Sequence, residues 1–364
     1  MTNKKILIAT GGTGGHIFPA YSFAKYLINK DYNVKLSTDK RGFRYLKNYK
    51  ELDISITTSS SIKKKNILEV FFSVFIIIYS IIRSILFLIR YRPKIIFGMG
   101  GYSSFPICIA AIILRINFII YENNLIIGKA NKYLLPFAKK LFVAHKELKG
   151  VSSKFEKKVS QIGNIVREEI INTKISDNKQ NNFDYLKILV LGGSQGAKVF
   201  AEKLPQIFKK LKNSGLQIKI YQQCLNEQNN ELLNFYKKTG IECEIFNFTD
   251  KILNYYLKTN LIITRAGASV LGELININKP FIAIPLPSSA DNHQYLNAEF
   301  YEKKGFGYLL EEKDIKIKLF DLINLITKDK SLSKNILSKQ TQNSDKDIFK
   351  NLSNQIEKII NEKN

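Results

Sequence analysis

Cysteine is scarce: the 364 residues hold only Cys108, Cys224 and Cys243, odd in number, widely spaced and without a CxxC pair. That excludes a disulfide framework and reads as reduced thiols in a cytoplasmic protein. Histidine is equally scarce, with 3 copies, so no cluster of histidines and cysteines stands ready to hold a metal. Acidic residues are few, 31 against 56 basic ones, which leaves a formal net charge of +25. Such a balance suits nucleic acid, an anionic membrane surface or phosphorylated substrates; a compositional bias toward Lys, Ile and Asn explains it equally well. A strand pattern starts within a few residues of Met1, so no leader peptide is expected.

Glycine, by contrast, is concentrated where it matters. Lys4 to His16 reads KKILIATGGTGGH, an apolar run of strand length that breaks into glycines and ends on a histidine. Beyond it Ile17, Ala20, Tyr21, Ala24, Leu27 and Ile28 share one helical face, and Pro19 sits in the first turn, where its missing N–H costs nothing. A glycine loop that opens a helix lets backbone N–H groups approach an anion, and the helix dipole favours negative charge there. A Walker P-loop is excluded, because lysine would have to stand where His16 does, and the glycines are not in the GxGxxG dinucleotide register. Taken alone, the loop is as compatible with a tight turn as with a phosphate site.

The pattern recurs. Ile95 to Phe97 runs into GMGGYSSFP (Gly98 to Pro106), and Ile188 to Leu191 into GGSQGA (Gly192 to Ala197), followed by a helix with Phe200, Leu204, Ile207, Phe208 and Leu211 inward. Further apolar runs mark strands at 34–37, 54–57, 118–121, 141–144, 159–162, 218–221, 244–246, 261–264 and 281–284. An opening unit echoed half a chain later predicts an α/β protein with two Rossmann-like domains facing a cleft. The length is comfortable for two cores. Residues 171–184 are polar and aperiodic, as a linker or surface loop would be.

Ile67 to Ile89 is the most apolar stretch, with Glu69 and Arg83 as its only charges and Glu69, Ser73, Ser80, Arg83 and Ser84 as a narrow polar stripe. At about 1.5 Å per residue it is long enough to cross a bilayer. Crossing would place the first glycine loop and the strand at Ile95 on opposite sides, so a long crossover helix is expected instead, either buried or docked on a membrane. Lys63 to Lys65 on one flank and Arg90, Arg92 and Lys94 on the other suit anionic headgroups.

In order and spacing, GGTGGHIFPA, GMGGYSSFP, the ENN before Gly128-Lys-Ala-Asn, GNIVR (Gly163 to Arg167), GGSQGA, RAGASVLGE and ADNHQ resemble the motifs of the MurG family. Its members are UDP-N-acetylglucosamine:undecaprenyl-pyrophosphoryl-muramoyl-pentapeptide N-acetylglucosaminyltransferases of peptidoglycan synthesis. The resemblance covers nearly the whole chain. It implies a GT-B fold with domains at residues 1–163 and 164–340, and a C-terminal helix at 341–364 packing back toward the first domain. It further implies an inverting, metal-independent transferase without a cofactor, peripheral on the cytoplasmic face of the bacterial inner membrane. Its partners would be UDP-GlcNAc, lipid I and an anionic membrane surface, not nucleic acid.

Carried over by motif, Thr13, Gly14, Gly15, Asn124, Arg167, Ser194, Ala268, Ser269, Val270, Leu271, Gly272, Glu273 and Gln294 bind the sugar nucleotide. Glu273 is then the carboxylate for the ribose hydroxyls and Gln294 lies near the sugar. Two positions depart from the family pattern, Ile165 where proline is frequent and Tyr121 where histidine is often seen. The chemistry points the same way: UDP departs easily if preorganised N–H donors at the third glycine loop and at Ala268 receive its charge. His16, ending the first loop, has the intrinsic pKa for a general base. Arg167 is expected to meet substrate charge, and His293 to make a supporting contact. The competing readings are another GT-B transferase with a diacylglycerol acceptor, a UDP-GlcNAc epimerase, and a basic non-enzymatic binding protein, which leaves three glycine loops without a purpose.

Overall fold

The apolar runs become the strands of two parallel sheets in the computed structural model, which describes residues 4–12, 14–49, 51–57, 67–173, 185–342 and 345–362. Two compact units form: Met1–Glu168 with Asp345–Asn364, and Glu169–Ser344. The first contains β1 (Lys5–Ala9), α1 (Gly14–Ile28), β2 (Asn33–Thr38), α2 (Lys40–Leu46), β3 (Asp53–Ile56), α3 (Ile67–Tyr91), β4 (Ile95–Gly98), α4 (Ser104–Ile113), β5 (Phe118–Glu122), α5 (Lys129–Leu134), β6 (Lys140–Val143) and β7 (Val159–Gln161), with α6 (Glu168–Ile171) at the boundary. The second contains β8 (Tyr185–Leu191), α7 (Gly193–Asn213), β9 (Gln217–Gln223), α8 (Asn229–Thr239), β10 (Glu242–Phe246), α9 (Ile252–Lys258), β11 (Leu261–Thr264), α10 (Ala268–Asn276), β12 (Phe281–Ala283), α11 (His293–Lys303), β13 (Tyr308–Leu309), α12 (Ile315–Lys328) and α13 (Lys330–Thr341). The last helix, α14 (Ile348–Asn361), belongs to the first unit.

Sheet order is β3-β2-β1-β4-β5-β6-β7 in the first unit and β10-β9-β8-β11-β12-β13 in the second. Central strands of such sheets are covered on both faces and therefore read as unbroken apolar runs. Ile6, Leu7, Ile8 and Ala9 of β1 accordingly have no exposed surface. Strand order reverses between β1 and β4, and again between β8 and β11, and the chain leaves all four of these strands through a glycine-containing loop. Parallel sheets open a ligand crevice at that reversal, beyond the carboxyl ends of the strands.

The unit boundary falls after Glu168, not after Gly163. Asn164 to Arg167 stay with the first unit because the Tyr121 hydroxyl donates to the Gly163 carbonyl (3.1 Å) and accepts from the Ile165 N–H (3.0 Å), while the Asn164 N–H donates to Asp345 (3.1 Å). The first unit resumes at Asp345, so the second ends at Ser344 and not at residue 340. α14 packs its apolar face inward, with Phe349 against Phe23 and Tyr26 of α1. Most of the expected linker, 174–184, lies outside the described residues.

α3 is amphipathic in reverse. Ser73, Ser80 and Ser84 are the buried residues, each bonding back to the carbonyl four residues earlier, and Leu88 enters the core. Phe71, Phe72, Phe75, Ile78, Ile82 and Leu86 face out, the phenylalanines 66–69% exposed. Serines that satisfy themselves on their own helix can be buried at little cost, so the small residues take the packing face. α3 connects β3 to β4, both strands of one sheet, and therefore does not cross a membrane even though its length and apolarity would suffice.

Candidate functional site

In the first unit the two glycine loops lie flush against each other. A Cβ on Gly11 would come within 2.1 Å of the Ser103 hydroxyl, so glycine there is a condition of the contact. A Cβ on Gly100 would sit 3.9 Å from Cε1 of His16 and 3.8 Å from Nδ2 of Asn131, which brings the first loop, the second loop and α5 to one place. Gly100 has φ +80°, a conformation only glycine adopts freely. Thr10 Oγ1 donates to the His16 carbonyl (3.2 Å), pinning the first turn of α1, where Gly14 and Gly15 open the helix and His16 is half-buried. Thr13 lies outside the described residues.

Glu122, at the end of β5, is the hub of the neighbouring segment. Its buried carboxylate accepts from the Asn124 N–H (3.1 Å), Asn124 Nδ2 (2.9 Å), the Gly128 N–H (2.9 Å) and Asn131 Nδ2 (3.0 Å). Four donors replace the water that a buried charge loses. Asn124 is thereby fixed beside the start of α5. Arg167 lays its guanidinium over the Phe18 ring, 4.2 Å from the centroid, so the cation is oriented by an aromatic face of α1.

A further carboxylate was not anticipated. Asp39, 5% exposed just beyond β2, accepts through Oδ1 from the N–H groups of Gly42 (2.8 Å) and Gly12 (3.2 Å), and through Oδ2 from Arg41. Burial alone would raise its pKa; the Gly42 and Gly12 N–H groups and the Arg41 guanidinium outweigh that and hold it below the usual carboxylate range.

In the second unit, Gly192 and Gly193 turn β8 into α7, and the Gly193 N–H donates to Gln223 Oε1 (3.1 Å). That donor is therefore engaged within the protein. The backbone of Ser194 continues α7; its side chain lies outside the described residues. After β11, Gly267 caps α10, whose first N–H groups, from Ala268 to Val270, are those that a helix leaves without in-helix acceptors. The Leu271 side chain is fully buried, and its N–H donates to the Gly267 carbonyl (3.1 Å). Gly272, the next residue, is buried as well.

Glu273 is 4% exposed and accepts from the Tyr256 hydroxyl (2.9 Å). Asn297 Nδ2 donates to the Ala266 carbonyl (3.1 Å), bracing the loop before α10. Arg265 is buried against Phe200, donates to the carbonyls of Ile284 and Pro285, and pairs with Glu312. Gln294 Oε1 accepts from the Leu286 N–H (3.0 Å), so the loop after β12 is tied to α11. That loop carries two consecutive non-glycine residues in the left-handed region, Asp291 (φ 50°) and Asn292 (φ 54°). Such backbone persists only where its surroundings enforce it. His293 Nδ1 donates to the Ala290 carbonyl (2.7 Å), a contact that shapes the loop.

Among the described residues no group of three or more His, Cys, Asp or Glu side chains converges as a metal would require. The sequence does hold one Asp-x-Asp spacing, Asp345 to Asp347, but Asp345 is engaged with Asn164. Of the residues that motif reading singled out, His16 lies near Gly100, Gly14 and Gly15 open α1 just before it, Asn124 lies beside Glu122, and Ala268 to Glu273 run along α10. Asp39, Tyr121, Glu122, Arg265 and Asp345 were missed as organisers. The one local signal was Asp39-Lys-Arg-Gly42 after a strand, an acidic N-cap followed by glycine.

Comparison with known proteins bears on both units. Residues 6–143 match the glycosyltransferase family 28 N-terminal domain, and 187–356 the family 28 C-terminal domain. A Pelagibacter ubique protein named UDP-N-acetylglucosamine–N-acetylmuramyl-(pentapeptide) pyrophosphoryl-undecaprenol N-acetylglucosamine transferase is 38% identical over 326 residues, 89% of this chain and 90% of that protein. Among solved structures, Acinetobacter baumannii MurG superposes with a TM-score of 0.74 at 24% identity, covering 98% of this chain and 99% of that one. S. aureus MnaA, solved with UDP, superposes at 0.71 with 15% identity, covering 98% and 97%. At these identities the two structures speak for the fold alone.

Proposed function

The chain belongs to glycosyltransferase family 28, among the UDP-N-acetylglucosamine–N-acetylmuramyl-(pentapeptide) pyrophosphoryl-undecaprenol N-acetylglucosamine transferases, and from that premise we propose the reaction it performs. N-acetylglucosamine moves from UDP-GlcNAc to the 4-hydroxyl of MurNAc in lipid I, which gives lipid II for peptidoglycan and frees UDP. The observation that carries this reading is the placement of glycine-containing loops at the order reversal of both sheets.

The acceptor oxygen attacks the sugar C1 from the face opposite UDP, and the C1–O bond breaks with its electron pair going to the β-phosphate oxygen. Charge growing there is met by N–H groups at the start of α10. Glu273 accepts from the ribose hydroxyls, and Gln294, Asn124, Arg167, Ser194 and Thr13 complete the substrate contacts. His16 takes the proton from the attacking hydroxyl, which keeps the nucleophile from carrying positive charge into the transition state.

The acceptor's polyprenyl chain stays in a bilayer, so the enzyme works as a peripheral protein on the cytoplasmic face of the inner membrane. The outward face of α3 supports this: its exposed phenylalanines and isoleucines far outnumber its exposed polar groups, and Arg90, Arg92 and Lys94 at its end are placed for anionic headgroups. Lys63 to Lys65, expected to act with them, lie outside the described residues.

The test is incubation of purified protein with UDP-GlcNAc and lipid I. Lipid II and free UDP are the expected products. Transfer to diacylglycerol in place of lipid I, or epimerised sugar nucleotide without any acceptor, would overturn the reading.

A further inference from the structure

The first glycine loop has the form of an anion site, yet one of its N–H groups already faces a carboxylate of the protein itself. Gly12, at φ +89°, points its N–H at Oδ1 of Asp39, and the space where its side chain would be is open. The same oxygen caps α2 through the Gly42 N–H. Gly42 cannot retreat or be replaced: a Cβ there would come within 2.1 Å of Thr38 Oγ1 and 2.5 Å of Ile17 Cδ1, so the start of α2 is pressed onto β2 and α1. Asp39 is thus held by the core on one side and holds the loop on the other.

Capping α2 needs only one acceptor, which serine supplies as well as aspartate does. The bond to Gly12 is additional, and it reaches 27 residues back to the loop that leads into His16. Gly11 is already flush on Ser103, and Thr10 is bonded to the carbonyls of His16 and Ser37; the Gly12 bond adds a side-chain acceptor that holds the loop at the next residue. We infer that Asp39 is a positioning residue: through the Gly12 N–H it sets the first glycine loop and, with it, the place of His16 for the transfer reaction. Arg41, mostly exposed and donating twice to Oδ2, neutralises the carboxylate without touching the loop. The inference rests on the transferase reading for its kinetic consequence and on geometry alone for the clamp.

Three variants of the full chain separate the roles. Asp39→Ser retains a cap for Gly42 but is too short to reach Gly12, so the melting temperature should change little. Its kcat for lipid II formation should fall by about tenfold or more while the KM for UDP-GlcNAc stays within about twofold, since a small displacement of a reacting group is costly to turnover and not to donor binding. Asp39→Asn keeps an oxygen at Oδ1 for both N–H groups and should rescue most of the rate, and Arg41→Gln should behave like the unaltered enzyme. A fully active serine variant, an asparagine variant as impaired as serine, or parallel loss of kcat and donor affinity would each overturn the proposal. Should the serine variant unfold, hydrogen exchange of the Gly12 amide in the unaltered protein decides: protection is expected, and exchange at the rate of an open loop sinks the clamp. That measurement needs no turnover, so an unaltered protein that makes no lipid II refutes the function and leaves the clamp to be judged on its own.

Discussion

The Tyr256 hydroxyl donates to Oε2 of Glu273 at 2.9 Å, and both side chains are buried in the second unit. A carboxylate on the second turn of a helix is thereby aimed by a residue seventeen positions earlier, from a different helix. The bond restricts where the oxygens of Glu273 point.

Glu273→Ala should therefore weaken UDP affinity by about 1.5 to 3 kcal/mol, the value of hydrogen bonds to a charged acceptor. Calorimetry with UDP checks it. Tyr256→Phe should cost about 1 kcal/mol of stability, the net value of the one hydrogen bond it removes from Glu273. If UDP binds Glu273→Ala as it binds the unaltered protein, the residue is purely structural.

His16→Ala should lower kcat by roughly two to four orders of magnitude with UDP affinity nearly intact, as loss of a general base does. Steady-state rates alongside calorimetry give the answer. Loss of binding with unchanged turnover at saturation would make His16 a residue that shapes the loop.

Phe72→Ser with Phe75→Ser should release the protein from anionic vesicles and leave thermal stability unchanged, since both rings face solvent in the folded chain. Each phenylalanine buried in a membrane contributes about 1.5 to 3 kcal/mol, so the pair should lower the partition coefficient by roughly a hundredfold or more. Co-sedimentation indifferent to the double substitution would show that α3 does not dock.

Lys279 supplies a prediction independent of function. It is 1% exposed, its ammonium donates to the Thr259 carbonyl (2.6 Å), and burial pushes its pKa down from 10.5 to about 8. The folded protein therefore prefers the neutral amine, and below about pH 8 it carries a buried charge at a cost. Unfolding free energy should rise by on the order of 3 kcal/mol from this residue as the pH goes from the folded value to the unfolded one, where the unfolded chain binds the extra proton. Lys279→Met should flatten that rise in urea titrations at a series of pH values; an unchanged slope would assign it to other groups.

What was legible in the sequence is what is local. Runs such as Ile6 to Ala9 and Ile188 to Leu191 announce strands because both faces are covered, and the glycines after them announce loops. The organising contacts are not local: Asp39 reaches Gly12, Tyr121 reaches Gly163, and Asp345 reaches Asn164 across 181 residues. Periodicity carries no record of such pairs. It also misleads about direction, since the stripe of Ser73, Ser80 and Ser84 looks like the wet side of α3 and is the dry one. Position within a motif is no guide to orientation either: Leu271 and Glu273 sit two residues apart in α10, and only the packing separates an enclosed leucine from a carboxylate held by Tyr256.

The first unit is assembled from two separate stretches of chain. Lys4 pairs with Glu357 at 2.6 Å, and α14 covers Phe23 and Tyr26 on α1, so ends that are far apart in synthesis meet in one core. On the ribosome the second unit emerges as an uninterrupted segment and is free to close first. The sheet of the first unit lies wholly in the earlier stretch, but the apolar patch of α1 around Phe23 and Tyr26 stays uncovered until the last helix has been made.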